Sequence, residues 1–172
     1  MCRMERRLEE RITRRARVQH GLITRGQLAD EGATDRQIDA RLKRGDWQVL
    51  RAGLYGLPGR APGWPSAVMA AVLAAGEGAV ASHRAVASLL ELPNVVRRLD
   101  VTVPAERRVR LPELIVHRSR HLDAADLKPI QGIPATSPAR TIIDLASLYE
   151  RAKVAAILDA AEECGLVLLP LK

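Results

Sequence analysis

Leu22-Ile23-Thr24-Arg25-Gly26-Gln27-Leu28-Ala29 and Thr34-Asp35-Arg36-Gln37-Ile38-Asp39-Ala40-Arg41-Leu42-Lys43-Arg44 carry the same start signal twice. In the first, Thr24 is an N-cap and Gln27, three residues on, is its reciprocal partner; in the second, Thr34 and Gln37 play those parts. Leu22 to Ala29 therefore begins one helix, Glu31-Gly32-Ala33 breaks it, and Asp35 to Arg44 forms the next. Two capping boxes ten residues apart, joined by a glycine turn, have the spacing of a helix-turn-helix. Trp47-Gln48-Val49-Leu50 and Leu54-Tyr55-Gly56-Leu57, separated by Arg51-Ala52-Gly53, read as a β-hairpin of the kind called a wing.

Charge points the same way. Residues 1–60 hold 14 Lys/Arg against 8 Asp/Glu, whereas residues 61–172 hold 13 against 12, so +6 of the net +7 lies in the first third. Clustered cations displace counterions from phosphates, and a polyanionic partner for this third is the simplest inference. On a 100° wheel Ile38 and Leu42 share the inward face of the second helix, with Arg36, Ala40, Lys43 and Arg44 opposite and Gln37 at the flank. Arg suits a guanine edge, Gln an adenine edge, Ala40 permits close approach, and Lys43 and Arg44 suit phosphates. Asp35 is a favourable first-turn charge, and Asp39 is placed at the side of the helix, where a pair with Lys43 is expected. Arg51 lies at the hairpin tip. The candidate double-stranded-DNA contacts are Arg25, Thr34, Arg36, Gln37, Ala40, Lys43, Arg44 and Arg51.

The remaining chain is globular. Apolar residues make up 47%, Phe is absent, and the core must be built from Leu, Val, Ile and Ala. Cys2 and Cys164 fit no disulfide or metal spacing, which suits a reducing interior. The amino end has no apolar h-region, and the run from Ala67 to Ala75 is too short to cross a bilayer, so a soluble cytoplasmic protein without membrane association is expected.

Met4 to Gln19 reads as an arginine-rich helix with Leu8, Ile12 and Ala16 on one stripe, stopped by His20-Gly21. The Pro/Gly-dense stretch Gly59 to Pro65 reads as a linker, giving a DNA-binding domain over 1–59 and a second domain over 66–172. In the second domain Ser66 caps a helix from Ala67 to Ala75, and Ser82 caps another from His83 to Leu90. Leu99 to Val103 and Leu114 to His117 are strands, with a weaker third near Leu127 to Ile130. Ser137 caps a helix from Pro138 to Leu148, and a last helix covers Glu150 to Glu163. The fold class is α+β: a winged helix-turn-helix, then a small α+β domain with a short antiparallel sheet.

Catalytic patterns are weak. Ser82-His83 is read as a cap and its neighbour rather than a nucleophile and base. His117 and His121 straddle a strand end and do not form a zinc pair. Asp100 precedes Glu113-Leu114-Ile115, which lacks the Lys that a restriction-type metal site needs. Arg118, Arg120 and Arg140 could gather into a basic patch or form ordinary solvated surface. No cofactor or metal is implied.

His20 to Leu28, Ile38…Arg41-Leu42…Gly45 and Leu50 to Tyr55 together resemble the N-terminal winged-helix domain of AbiEi-type antitoxins of type IV toxin–antitoxin systems. Ala79-Val80-Ala81-Ser82-His83-Arg84, Val101-Thr102-Val103-Pro104, Val116 to Arg120 and Gly132 to Thr141 are similar to AbiEi-like proteins common in actinobacteria. The resemblance covers residues 18–167. It implies an autorepressor that binds inverted repeats in its own promoter, and a second domain that antagonises a nucleotidyltransferase toxin without needing a stable complex. Many similar proteins carry a further endonuclease-like domain. This sequence stops at Lys172, which leaves open whether it is a fragment. The alternative reading is therefore the targeting portion of an endonuclease-like protein. RNA binding ranks last, because only Trp47 and Tyr55 could stack bases near the basic helices.

Overall fold

The computed structural model describes residues 3–166, an α+β chain whose two compact units meet between Ala74 and Ala75. Cys2 and residues 167–172 lie outside the described residues. The first unit orders α1 (Arg3–Val18), β1 (Leu22–Thr24), α2 (Arg25–Asp30), α3 (Asp35–Arg44), β2 (Gln48–Arg51), β3 (Leu54–Gly56) and α4 (Trp64–Ala75).

Both capping boxes form. Thr24 and Thr34 each accept from the backbone N–H three residues on, while Gln27 and Gln37 reach back to the cap backbone. Gly45, with φ of 77°, closes α3 in the left-handed conformation. The chain before Thr24 departs from the helical expectation: Leu22, Ile23 and Thr24 form a strand against Gly56, Tyr55 and Leu54 of β3. This apolar pair is buried on pairing and gives a three-stranded antiparallel sheet of order β1-β3-β2.

The hairpin also tightens. Arg51 belongs to β2, opposite Leu54, and the turn is Ala52-Gly53, with a bulge between Val49 and Arg51. Leu8, Ile12 and Ala16 of α1 meet Ile23, Leu28, Ile38, Trp47 and Tyr55 in one core. The Trp47 and Tyr55 rings lie 6.3 Å apart, and the Arg41 guanidinium sits 5.2 Å over Trp47. Fully burying Ile12, Ile23, Leu28 or Ile38 contributes about 1.5–3 kcal/mol each.

Two expectations near the boundary change. α4 begins at Trp64, within the Pro/Gly stretch, because Pro65 is compatible with a first helical turn. Ser66 is thus not a cap; it lies inside that turn and accepts a 2.9 Å bond from Arg60 Nη1. α4 up to Ala74 belongs to the first compact unit rather than opening the second.

The second unit orders β4 (Val80–Ala81), α5 (His83–Leu89), β5 (Asp100–Pro104), β6 (Ile115–Ser119), a 3-10 turn (Ala124–Asp126), α6 (Pro138–Ala146) and α7 (Arg151–Glu163). Its sheet is mixed, which corrects the antiparallel expectation: β4 runs antiparallel to β5, but β5 and β6 are parallel, Asp100 facing Ile115 and Thr102 facing His117. The residues between β5 and β6 are numerous enough to return the chain along a five-residue strand of about 17 Å. Where the third strand was expected, isolated bridges join Leu127 to Thr136 and Ile130 to Ile133. Ser137 caps α6 as expected, accepting from Arg140 N. Ala87, Leu92, Ile142, Leu145, Ile157 and Ala161 form the helical core of this unit.

Candidate functional site

α3 has a sharply divided surface. Ile38 is buried on its inner side, and Arg41 also turns inward, where it pairs with Glu9 of α1 and covers Trp47. Arg36 and Lys43 are exposed on the outer side, with Ala40 half-buried between them. Among the described residues, neither Arg36 nor Lys43 makes a hydrogen bond or ion pair. Their charge is therefore available to a polyanion without first breaking an internal contact.

The other sequence-derived candidates divide by role. Arg25 is committed internally: its backbone N–H donates to Gly53 O at 2.8 Å, and its guanidinium donates to Tyr55 Oη at 3.1 Å and Asp35 Oδ1 at 2.6 Å. These bonds tie the hairpin, α2 and the start of α3 together and hold the Arg25 pKa above its ordinary value, the Tyr55 bond contributing most. Thr34 and Gln37 are occupied with each other; Gln37 Oε1 accepts from both Thr34 N and Thr34 Oγ1, so it is not free for an adenine edge. Arg44 folds back onto Asp46 through Nε and Nη2. Arg51 is half-buried at the end of β2. Asp39 does not pair with Lys43 as expected; its nearest cation is Arg25, at 3.9 Å.

A second constellation lies in the other unit and was passed over in the sequence. Ser82 stands at the N-cap position of α5 as expected, but its side chain makes no cap bond. Instead its Oγ accepts from Thr102 Oγ1 at 2.8 Å and lies 2.9 Å from His83 Nδ1. His83 has φ of 49°, a left-handed backbone that costs a non-glycine residue of order 1 kcal/mol or more. This conformation lets two consecutive side chains face each other.

His83 stacks on His117 at 3.6 Å between ring centroids. His117 Nε2 donates to Asp100 Oδ1 at 2.8 Å, and Arg84 grips the same carboxylate through Nε and Nη2. Behind His83, Asp144 accepts from Arg140 through Oδ1, while its buried Oδ2 has no hydrogen-bond partner among the described residues. Arg140 also reaches Asp126, so it is a half-buried strut, paired to two carboxylates, rather than part of a basic patch with Arg118 and Arg120.

Electrostatics follow from burial. Desolvation, reinforced by the neighbouring His117, lowers the His83 pKa to about 4, so the ring is neutral near pH 7. Burial would raise Asp100, but hydrogen bonds from His117 and Arg84 outweigh it and hold the carboxyl below its usual range. Ser82 Oγ is enclosed, the residue being 0% exposed, so the Ser–His contact does not present a nucleophile. Among the described residues no His/Cys/Asp/Glu group is arranged to hold a metal ion, and no helix is long and apolar enough to cross a membrane.

No family model and no curated protein matches this chain.

The missed constellation did leave a trace. In Leu99 to Val103 the strand alternation puts Asp100 and Thr102 on one face and Val101 and Val103 on the other, all four nearly or fully buried. A buried Asp in an apolar strand demands a cation, and Arg84 and His117 supply it. Their distance in sequence hid the pairing.

Proposed function

We propose that the first unit is a winged helix-turn-helix that binds duplex DNA, with α3 entering the major groove and the β2–β3 hairpin acting as the wing. The observation that carries this reading is the outer face of α3: Arg36 and Lys43 are exposed and unpaired, while Ile38 and Arg41 on the other side anchor the helix to the unit. Arg36 is the candidate base reader, Lys43 a phosphate contact, and Arg25, Thr34 and Gln37 hold the helix in place.

Joined to the resemblance to AbiEi-type antitoxins, this supports a cytoplasmic transcriptional autorepressor that binds inverted repeats in its own promoter. The second unit would then antagonise a nucleotidyltransferase-like toxin. The enclosure of Ser82 favours a regulatory rather than a hydrolytic second unit. A gel shift with the chain's own upstream DNA tests the repressor: retardation of that fragment well ahead of a scrambled duplex is expected, and equal retardation overturns it. Co-expression with the adjacent gene tests the antitoxin role, since rescue of growth is expected and unrelieved toxicity rejects it.

A further inference from the structure

The outer face of α3 is not simply cationic. Arg41 is turned inward and Arg44 is held by Asp46, so Arg36 and Lys43 share that face with Asp39. On a 100° wheel Arg36, Ala40 and Lys43 lie opposite Ile38, and Asp39 sits at the edge of that arc beside Lys43. A helix built only to cling to phosphates would not carry a carboxylate there, since it would repel the backbone it approaches.

The expected pair with Lys43 does not account for this acid. Among the described residues Asp39 makes no i,i+4 pair with Lys43 and accepts no hydrogen bond; its side chain is 57% exposed and forms a long, 3.9 Å ion pair with Arg25. Asp35, by contrast, is bonded to Arg25 at 2.6 Å. Arg25 is itself fixed by Tyr55 and by Gly53 O, so it holds the neighbouring carboxylates at a set height along α3.

We propose that Asp39 is a specificity-determining residue of the DNA site: its carboxylate accepts a hydrogen bond from an exocyclic amino group in the major groove, that of cytosine or adenine. Arg25 is its positioning residue. Cytosine N4 and adenine N6 are the donors a major groove offers, and a carboxylate that meets one is compensated, whereas one that meets guanine O6 or thymine O4 faces another acceptor. Asp39 thus selects by rejection as well as by attraction.

The inference rests on the DNA-binding reading, and one experiment separates the two. The full chain, wild type and Asp39→Ala, is used to select from a pool of duplexes with a randomised central segment. Asp39 is at the surface, and matching thermal melts check that the variant folds. The wild type is expected to enrich a motif with cytosine or adenine at one position. Asp39→Ala should lose about tenfold of the preference there and keep the rest of the motif. Asp39→Asn should shift that position towards adenine, which Asn bonds bidentately. If Asp39→Ala tightens binding to all duplexes equally and keeps the whole motif, the residue is only a repulsive charge and the inference fails alone. If the wild type enriches no motif, the DNA-binding reading fails and takes the inference with it.

Discussion

The imidazoles of His83 and His117 lie 3.6 Å apart and 14° from parallel, with the Asp100 carboxylate bonded to the second ring. Two rings this close in a buried setting cannot both carry a proton cheaply, and the enclosed one stays neutral.

Stability should therefore depend on pH in a definite window. An unfolded histidine takes up its proton near pH 6.5, whereas His83 in the folded chain does so at about 4. Between those values the unfolded state binds more protons, so stability falls as pH drops through the window and the loss levels off below it. The total is on the order of 3 kcal/mol. Urea unfolding at stepped pH measures it. His83→Asn, which tolerates the left-handed backbone, should flatten the dependence; an unchanged slope would contradict this account.

Removing Arg84 tests the other side of the cluster. Arg84→Ala leaves Asp100, fully buried, with only His117 as a partner. A loss of about 3 kcal/mol in chemical denaturation is expected. The Asp100 carboxyl should also titrate higher, because the grip that outweighs its burial is gone.

Glu91 offers a stabilising change. It has φ of 57° just beyond α5, and Leu92 N donates back to Ala87 O, so the helix ends in a left-handed reversal without a glycine. Glu91→Gly should raise stability by about 1 kcal/mol, seen as a higher thermal midpoint. A lower midpoint would mean that the Glu91 side chain contributes more than its backbone costs.

On the DNA-binding reading, Arg36→Ala and Lys43→Ala should weaken duplex binding differently. Loss of Arg36 should relax preference at one base, by about 1–3 kcal/mol. Loss of Lys43 should weaken all sequences alike and reduce the salt slope by about one. Titrations of matched and scrambled duplexes at two salt concentrations distinguish the pair; identical profiles for both variants would refute the assigned roles.

Local signals were the readable ones. Thr24, Gln27, Thr34 and Gln37 act on backbone atoms a few residues away, so their spacing alone discloses the starts of α2 and α3. Leu22-Ile23 is too short for its period to separate strand from helix, and only the distant Tyr55 and Gly56 decide it. Alternation in Asp100 to Pro104 reports a strand and its two faces but not the direction of its neighbour, so the parallel β6 was not legible. Ser82 carries the residue type of a cap, yet Thr102 and His83 occupy its hydroxyl. The exposure of Arg36 and Lys43 was readable from the wheel. The engagement of Arg25, Arg44 and Gln37 was not, because their internal partners Tyr55, Asp46 and Thr34 lay on other elements or competed locally.

Arg25 joins the hairpin to the head of α3: its backbone N–H donates to Gly53 O at the tip, and its guanidinium donates to Tyr55 Oη in β3 and to Asp35 Oδ1. Beside the shared core, the polar link between these two elements is a fork of donors, which an ammonium group could not reproduce. On the DNA-binding reading, a single substitution at Arg25 would re-aim α3 within an otherwise unaltered scaffold, so that sequence preference would change while Arg36 and Lys43 stayed the same.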